Sequence, residues 1–506
     1  MSPLPATPSK TPPRYIGIGQ GVARMIDDQA FRPGQRLPSV RELAAQHGVS
    51  VSTAVQALRW LEERHRIIAR PRAGYFVAPK SRTLPSVSRP PRHSVPVVRP
   101  HRTATISGNP DLASGPGVNF GGYSPKDARL YDGERVRIAL ARATRLQRRS
   151  LITYDDSPGT PLLREAMARR ALALGCTLDP ARILVTQCCT QAVSLCLQAV
   201  TRPGDTVALE SPTHFGFLDL LEALHLRALE IPTHPRHGIS LPALQLALDT
   251  QPVKAVLLVP ALSNPLGASM RLADKRRLVQ MLSAHQTPLI EDVIFNDLLV
   301  GDERRRAAKS FDTEGLVMVC GSFSKTLAPG LRLGWVEPGR WHAPVASLKR
   351  VLGGPTNVIL EHTLADVLSQ GGYEARVRQM SERMRARLAH ARACVVNSFP
   401  AGTRVSDPPA GYALWAELPS GVDTLALHTR CQGEGIGFGP GALFSASDRF
   451  GHCLRLSFAG EMGGAEFAAL ERIGELAQEM LAGRHARSEP LRPACSDAPA
   501  PQNHPA

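Results

Sequence analysis

Hydrophobic residues recur at helical spacing in the N-terminal part of the chain, and two short apolar runs follow. The spacing predicts helices over residues 16–26, 39–47 and 52–61. The runs at 67–69 and 75–77 are separated by Arg, Pro and Gly, and they predict a two-stranded wing with a basic tip. The N-terminal region is therefore predicted to be a small α+β domain.

Polar residues mark where the second and third of these helices begin. Ser39 and Glu42 have the spacing of a capping box, and Ser50 or Ser52 is suited to cap the next helix. The turn between the two helices contains Gly48. This order is that of a helix-turn-helix unit, which places its second helix in the DNA major groove.

From about residue 118 the pattern changes to short apolar strands that alternate with helices. Strands are predicted near 183–186, 206–210, 229–231, 254–259, 288–292 and 317–320. This alternation predicts a mostly parallel, doubly wound α/β sheet. Past residue 340, helices over 343–351 and 361–392 lead to a smaller α+β lobe, whose last helix lies near 466–482.

Four polar residues stand at or just beyond predicted strand ends: Thr186, Asn264, Asp292 and Lys325. In such sheets, ligands bind beyond the carboxyl ends of the strands, so these side chains should meet in one crevice. The helix predicted to start at Gln187 should point its positive end at the same place and form an anion site.

The segment GSFSKTLAPGLRLGW, residues 321–335, supplies the chemistry of this crevice. Burial lowers the pKa of a lysine, as an imine-forming lysine requires. We expect Lys325 to form an imine with pyridoxal 5′-phosphate, with Ser322 and Arg332 binding the phosphate and Asp292 holding the ring nitrogen protonated. An ordinary basic loop is the simpler alternative. The S-x-x-K motif of serine acyl-transferring enzymes also fits, but the S-D-N and K-T-G motifs that accompany it are absent from the sequence.

Charge separates the two halves of the chain. Residues 1–105 hold 17 lysines and arginines against 5 acidic residues, so most of the net charge of +16 lies in the first fifth of the 506 residues. This concentration favours double-stranded DNA as a partner. No apolar run is long enough for a membrane span, no metal motif is present, and nine scattered cysteines without a signal peptide predict a reduced, cytoplasmic protein.

Composition also sets the expected domain boundaries. Residues 1–13 and 483–506 are predicted to be disordered, and Pro/Arg/Ser-rich residues 80–115 to be a linker. The DNA-binding domain should span 14–79 and the larger domain 116–482, with a large lobe over about 140–340 and a small lobe over about 350–482.

The sequence LPSVRELAAQHGVSVSTAVQALRWLEE, with RPRAGYFV after it, resembles the winged helix of the GntR superfamily. The resemblance implies a DNA-facing surface formed by Ser39, Arg41, Ser50, Ser52, Thr53 and the wing residue Arg72. Val51 stands where the family often has arginine, so base readout would rest on fewer charged contacts. An apolar contact with a thymine methyl group is one substitute.

Residues 118–482 resemble a class I/II aminotransferase of fold type I, and the whole chain resembles the MocR subfamily of GntR regulators. The motifs that carry this are Y-x-x-x-x-G-x-x-x-x-R from Tyr154, S-N-P-x-G from Ser263, and the lysine segment. The resemblance implies that Asn264 bonds the 3′-oxygen of the cofactor and that Arg455 binds a substrate or effector carboxylate. It also implies a homodimer in which Tyr154 reaches the neighbouring subunit's phosphate.

Three departures from the family pattern fall at the cofactor. Phe295 replaces a tyrosine whose hydroxyl bonds the 3′-oxygen, which should raise the imine pKa and slow exchange with amines. Cys188 and Cys189 occupy the phosphate-binding turn that usually carries glycine, and His214 stands where an aromatic ring stacks on the cofactor.

Three functions are compatible with these features. The first is a transcription regulator that binds pyridoxal phosphate through a lysine imine and senses a small amino compound. The second is an active aminotransferase with an attached DNA-binding domain. The third is a cofactor-free dimerisation scaffold, against which the set Asp292, Asn264, Lys325 and Arg332 argues.

Overall fold

The computed structural model describes residues 13–27, 30–31, 34–62, 66–70, 74–77, 87–88, 117–122, 127–153 and 157–488. The chain divides into two compact units, residues 1–83 and 84–506. Residues 1–12 and 489–506 of the predicted disordered termini, and most of the predicted linker, lie outside the described residues. Within the described part, no helix is long and apolar enough to cross a membrane.

The first unit has the predicted winged helix-turn-helix fold. It contains α1 (Arg14–Asp27), α2 (Val40–His47), α3 (Val51–Glu62) and an antiparallel wing of β1 (Ile67–Arg70) and β2 (Gly74–Val77). The capping box forms as predicted: the backbone N–H of Ser39 donates to Glu42 Oε2 (2.7 Å), and that of Glu42 donates to Ser39 Oγ (3.3 Å). Gly48 ends α2 with φ 58°, a left-handed conformation that glycine adopts without steric cost.

The second unit contains the remaining elements in chain order. They are β3 (Val118–Asn119), α4 (Gly133–Leu146), α5 (Pro161–Ala171), β4 (Leu184–Thr186), α6 (Cys189–Val200), β5 (Thr206–Ser211), α7 (Phe215–Ala223), β6 (Arg227–His234), β7 (Gly238–Ile239), α8 (Leu241–Thr250), β8 (Val253–Leu258), α9 (Leu272–Ala284), β9 (Leu289–Asp292), β10 (Val317–Ser322), β11 (Gly334–Glu337), α10 (His342–Leu352), α11 (Val358–Ser369), α12 (Tyr373–Ser398), β12 (Arg404–Val405), β13 (Ala413–Glu417), α13 (Thr424–Gly433), β14 (Ile436–Gly437), β15 (Gly439–Pro440), β16 (Cys453–Ser457) and α14 (Gly464–Ser488).

Eight strands form the central sheet in the order β4-β11-β10-β9-β8-β5-β6-β7. The pairs among β10, β9, β8, β5 and β6 are parallel, whereas β11 and β7 run antiparallel to their neighbours. The sheet is therefore mostly parallel, as predicted. Its strands are buried on both faces, which explains why they read as continuous apolar runs.

Past residue 340, two helices differ from the sequence-based prediction. The single helix predicted over 361–392 is two helices, α11 and α12, because Gly371 and Gly372 between them both have positive φ (74° and 78°). The last helix, predicted to end at Ala482 before a disordered tail, continues to Ser488. Gly483, which follows Ala482, does not end the helix, and the next helix-breaking residue is Pro490.

Helix α12 joins the two lobes of the second unit. Its first half packs into the core of the large lobe through Val377, Met380 and Met384. Its second half packs into a separate core through Leu388 and Val395, beneath the sheet of β12, β13, β16 and β15. The small lobe is thus an α+β layer with its own core, as predicted.

Candidate functional site

Lys325 lies just past the carboxyl end of β10, in a turn held by hydroxyl groups. Ser322 Oγ donates to the carbonyl of Leu333 (2.8 Å) and accepts from the backbone N–H of Ser324 (3.1 Å). The hydroxyl of Tyr412, from the small lobe, donates to the backbone carbonyl of Lys325. These contacts fix the backbone from which the half-buried lysine extends.

Asp292 ends the neighbouring strand β9 and is buried. Its Oδ1 accepts the backbone N–H of Ile294 (2.9 Å) and the thiol of Cys189 (3.3 Å). Burial raises the pKa of Asp292 to about 6, although these two hydrogen bonds and the charge of Lys325 act in the opposite direction. A buried carboxylate in this position is suited to pair with the protonated ring nitrogen of a pyridine-type cofactor.

Asn264, His214 and Arg455 form a hydrogen-bonded chain beside the lysine. Arg455 Nη1 donates to Asn264 Oδ1 (3.1 Å), so the amide nitrogen of Asn264 faces His214 Nδ1 (3.2 Å). Burial, together with the positive charges of Arg455 and Lys325, lowers the pKa of His214 to about 3. The imidazole is therefore neutral, with Nδ1 as the acceptor and its proton on Nε2.

Arg455 is fully buried on β16, where a cation requires specific compensation. Its Nη2 donates to the carbonyl of Gly121, and its guanidinium carbon lies 4.9 Å from the ring centre of Phe444 and 5.8 Å from that of Phe215. Phe444 lies in the small lobe, just after β15. The arginine is thus held rigidly at the inner wall of the crevice.

The predicted phosphate end of the crevice is built by the first turn of α6. The helix begins at Cys189 and not at Gln187, and the Cys188 thiol caps it by accepting the N–H of Gln191 (3.4 Å). A Cβ atom added to Gly334 would lie 2.7 Å from the nitrogen of Cys189, so β11 can approach this turn only with glycine. A cavity of about 630 Å³ opens here, lined in part by Gln187, Cys188 and Arg332.

Sequence reasoning missed a polar network behind Lys325. Thr326 Oγ1 lies 2.6 Å from the hydroxyl of Tyr373, which donates to Asp297 Oδ2 (2.7 Å). Arg170 and Arg305 pair with the same aspartate at 3.0 and 2.7 Å. Burial would raise the pKa of Asp297, but the two arginines outweigh it and hold that pKa below its ordinary value. Residues 297 and 373 gave no motif signal, because their partners are distant in sequence.

The predicted DNA-facing residues cluster at the start of α3. Ser50 Oγ lies 2.8 Å from Ser52 Oγ and 2.9 Å from Thr53 Oγ1, and it accepts the N–H of Thr53 (3.3 Å) as the helix cap. Ser39 and Arg41 are exposed on or next to α2. The exposed face of α3 continues through Val51, Gln56 and Arg59, the last two of which sequence reasoning did not select. Arg72 and Tyr154 lie outside the described residues.

The residues of the crevice fit pyridoxal 5′-phosphate. The structure supplies a lysine, a buried carboxylate within its electrostatic reach, an asparagine amide, and a helix N-terminus approached by a glycine backbone. Among the described residues, no cluster of His, Cys, Asp or Glu is suited to hold a metal ion. Fold and site together define a protein of the pyridoxal-phosphate-dependent aminotransferase type that carries a winged helix-turn-helix domain.

Comparison with known proteins identifies the family. Residues 118–467 match the model of aminotransferase class I and II, and residues 14–77 match that of bacterial regulatory proteins of the gntR family. The chain therefore belongs to the class I and II aminotransferase family, fused to a GntR-type domain in the MocR architecture. This membership confirms the predicted cofactor, pyridoxal 5′-phosphate.

Two relatives are similar over most of the chain. The chain is 33% identical to the uncharacterized HTH-type transcriptional regulator YjiR of Escherichia coli (strain K12), over 91% of this chain and 98% of the relative. It is 30% identical to the HTH-type transcriptional regulator TauR of Rhodobacter capsulatus, over 84% of this chain and 88% of the relative. A similar solved structure is that of LysN, the alpha-aminoadipate aminotransferase of Thermus thermophilus, in complex with N-(5′-phosphopyridoxyl)-L-leucine. The TM-score is 0.66 at 26% identity, and the match covers 72% of this chain and 92% of LysN.

Replacing Asp292 with asparagine should stabilise the cofactor-free protein and weaken cofactor binding. The pKa of Asp292 is raised from 3.8 to about 6 in the folded state, so ionisation of this carboxyl lowers the free energy of unfolding. This loss of stability increases as the pH rises from about 4 to about 6. At pH 7 the variant should gain about 3 kcal/mol of unfolding free energy, and the gain should vanish below about pH 4. Denaturant unfolding at both pH values measures this difference.

The same variant should bind pyridoxal phosphate about 100-fold more weakly, because a buried charge would lose its partner. A destabilised cofactor-free variant at pH 7, or unchanged cofactor affinity, would contradict this role of Asp292. Asp249→Asn, on an exposed side chain of α8, is the control and should change neither quantity.

Proposed function

We propose that the chain is a cytoplasmic, homodimeric, DNA-binding transcription regulator that holds pyridoxal phosphate covalently through Lys325 and senses a small amino compound. The observation that carries the proposal is the convergence of Lys325, Asp292, Asn264 and Arg455 on one crevice in a chain that also bears a winged helix. Close relatives over the full length bear the names of transcriptional regulators, which favours regulation over a metabolic enzyme.

Each crevice residue has a task in this proposal. When bound, the cofactor supplies an aldehyde carbon that can exchange one amine partner for another. Lys325 is the resident amine, and Asp292 holds the proton on the ring nitrogen. The α6 N-terminus, Ser322 and Arg332 bind the phosphate, with the dipole and the guanidinium both favouring an anion.

Arg455 defines the kind of amino compound that would bind. Its buried, planar guanidinium suits an acidic group of the effector, and the neutral His214 beside it adds no competing positive charge. Because His214 and Asn264 share a hydrogen bond, a group that displaces one of them also disturbs the other. The crevice thus favours an amine that carries an acidic group at a fixed distance.

Two features argue for sensing with little turnover. Phe295 is buried with its ring centre 6.4 Å from that of Tyr412, and it brings no hydroxyl. The phenol of Tyr412 itself donates to the backbone carbonyl of Lys325. The Cys188 thiol caps α6 by accepting the N–H of Gln191, so this N–H group is not free to bind the phosphate. Steady amino-group transfer to a keto acid at an ordinary enzyme rate would reject the sensor and restore the aminotransferase alternative.

Several exposed apolar residues, one of them at the phosphate cavity, support the homodimer. Ile152 is 87% exposed and Val351 is 74% exposed, and Leu146, Leu151 and Leu352 are also largely exposed. Leu151 lines the cavity itself. A surface of this kind is typical of an interface between subunits. The role of Tyr154 in a neighbouring subunit remains part of this proposal.

An amine titration with two readouts tests the proposed function. Purified cofactor-loaded protein is titrated with L-glutamate, β-alanine, taurine and putrescine, and both the visible absorbance and the affinity for operator DNA are followed. At least one amine should shift the absorbance band and change DNA affinity at the same concentration. Shifts of the band without any change in DNA affinity would contradict regulation by these amines.

Two substitutions in the winged helix should separate phosphate contacts from base contacts. Arg41→Ala should weaken binding to all DNA sequences alike and reduce the slope of log affinity against log salt by about 1, because one phosphate contact is lost. Gln56→Ala should leave that slope unchanged and relax base preference by about 1–3 kcal/mol at one position. Quantitative DNA binding at several salt concentrations, with single-base operator variants, distinguishes the two. Equal effects of both changes would contradict the assignment of Arg41 to a phosphate contact and of Gln56 to a base contact.

A further inference from the structure

Val87 and Ser88, which belong to the predicted linker and lie just inside the second unit, are anchored on the small lobe. The backbone N–H of Ser88 donates to both carboxylate oxygens of Glu417 on β13, at 3.0 and 2.9 Å. Its hydroxyl accepts from Arg404 Nη1 at 2.5 Å. Ser88 is thus held on both its backbone and its side chain by two neighbouring strands.

Val87 is buried in an apolar cluster that also forms the wall behind Arg455. The cluster contains Phe215, Leu266, Trp415 and Phe444, and Val87 is only 5% exposed within it. Phe215 and Phe444 are the two rings that flank the Arg455 guanidinium. A valine from an interdomain segment therefore shares a buried cluster with the rings that hold the effector-binding arginine.

A second stretch of the chain contacts Arg455 directly. Residues 117–122 follow the predicted linker, and Gly121 in this stretch accepts a hydrogen bond from Arg455 Nη2. Strand β3 pairs with β14 just before it, and Phe120 packs into the core of the small lobe. Arg455 therefore hydrogen-bonds to the stretch that follows the linker, and it lies against two rings that share a buried cluster with Val87.

We propose that the surface formed by Leu266, Trp415, Glu417 and Phe444 is the docking site of the chain's own interdomain segment at Val87–Ser88, and that it transmits the state of Arg455 to the DNA-binding unit. An acidic group at Arg455 changes the positions of Phe215 and Phe444, which alters how tightly Val87 docks. The effector therefore binds the docked state and the loosened state of Val87 with different affinity, and it shifts the population between them. The length of linker that is anchored differs between these two states. The transmission, though not the docking, rests on the proposed function.

Hydrogen exchange tests the docking without any effector. The amide of Ser88 should exchange far more slowly than an unstructured amide, because its N–H is bonded to a buried carboxylate. Val87→Ala removes two methyl groups from the cluster and should raise that exchange rate about 10-fold. Leu246→Ala, which shortens a half-exposed side chain on α8, is the matched control and should leave the rate unchanged. Exchange at the unstructured rate in the native protein would overturn the docking.

DNA affinity tests the transmission. Native protein, Val87→Asp and Glu417→Gln are each compared with and without L-glutamate, β-alanine, taurine and putrescine. An amine that changes native DNA affinity by about 5-fold or more should change that of both variants less than about 2-fold, while the midpoint of its absorbance shift stays within about 2-fold. A native-sized DNA response in both variants would overturn the transmission. If no amine alters native DNA affinity, the proposed function and the transmission fail together, while the exchange result on docking stands.

Discussion

Lys325→Ala is expected to abolish the visible absorbance of the cofactor-loaded protein while leaving effector-free DNA binding intact. The absorbance depends on a covalent bond between the side-chain nitrogen of the lysine and the cofactor, and the side chain of alanine has no nitrogen. The winged helix belongs to a separate compact unit with its own core, so its fold does not depend on residue 325. Absorbance spectra after loading and dialysis, with DNA affinity measured on the same samples, check both parts.

Two other lysines serve as controls for this experiment. Lys254 is exposed on β8, and Lys254→Ala should retain the full absorbance band. Lys275 is the more demanding comparison because it is buried and burial lowers its pKa to about 8. Its ammonium donates to the carbonyls of Arg304 and Arg306 at 2.8 and 2.6 Å, so it has a structural task. If the band persists in Lys325→Ala but disappears in Lys275→Ala, our proposal names the wrong lysine.

Arg455→Lys is expected to remove the response to acidic amines selectively. Lysine keeps a positive charge but loses the planar fork that binds a carboxylate through two hydrogen bonds. Hydrogen bonds to charged groups contribute about 1.5–3 kcal/mol, so the absorbance midpoint for L-glutamate should rise by about 10-fold or more. Putrescine, which has no acidic group, should give the same midpoint as with native protein.

The controls for Arg455→Lys address stability and surface charge. Arg455 is fully buried, so thermal unfolding of the variant must be compared with that of native protein before the midpoints are interpreted. Arg430→Lys, on the exposed side of α13, makes the same chemical change without touching the crevice. Equal loss of response to putrescine and L-glutamate would show that Arg455 supports the fold of the crevice and does not select the acidic group.

The sequence predicted the parts of the fold that depend on local pattern. The capping box at Ser39, the wing and the apolar strands follow from spacing over a few residues, and the structure confirms each of them. The strand-end rule also brought Asn264, Asp292 and Lys325 together, since parallel strands expose their carboxyl ends at one edge. Local rules failed where two glycines interrupt a helical pattern, at Gly371 and Gly372, because apolar periodicity continues across the break.

Contacts between distant segments escaped the sequence. Cys189 was selected for the phosphate turn, but its thiol donates to Asp292, on a strand far along the chain. Tyr412 and Tyr373 hold the two residues Lys325 and Thr326 from other elements, and neither lies in a motif. Val87 was assigned to a linker without structure because its neighbours are Pro, Arg and Ser. Its burial depends on a cluster assembled from the large and small lobes.

The proposed function requires that the lysine-bound cofactor reports an amine to the DNA-binding unit. The decisive measurement is the change in operator affinity caused by the amine that shifts the native absorbance band, in cofactor-loaded native protein, in cofactor-free native protein and in Lys325→Ala. We predict a change of about 5-fold or more in the first sample and none in the other two. The same change in all three samples would refute the proposal, because the amine would then act without the cofactor or its lysine.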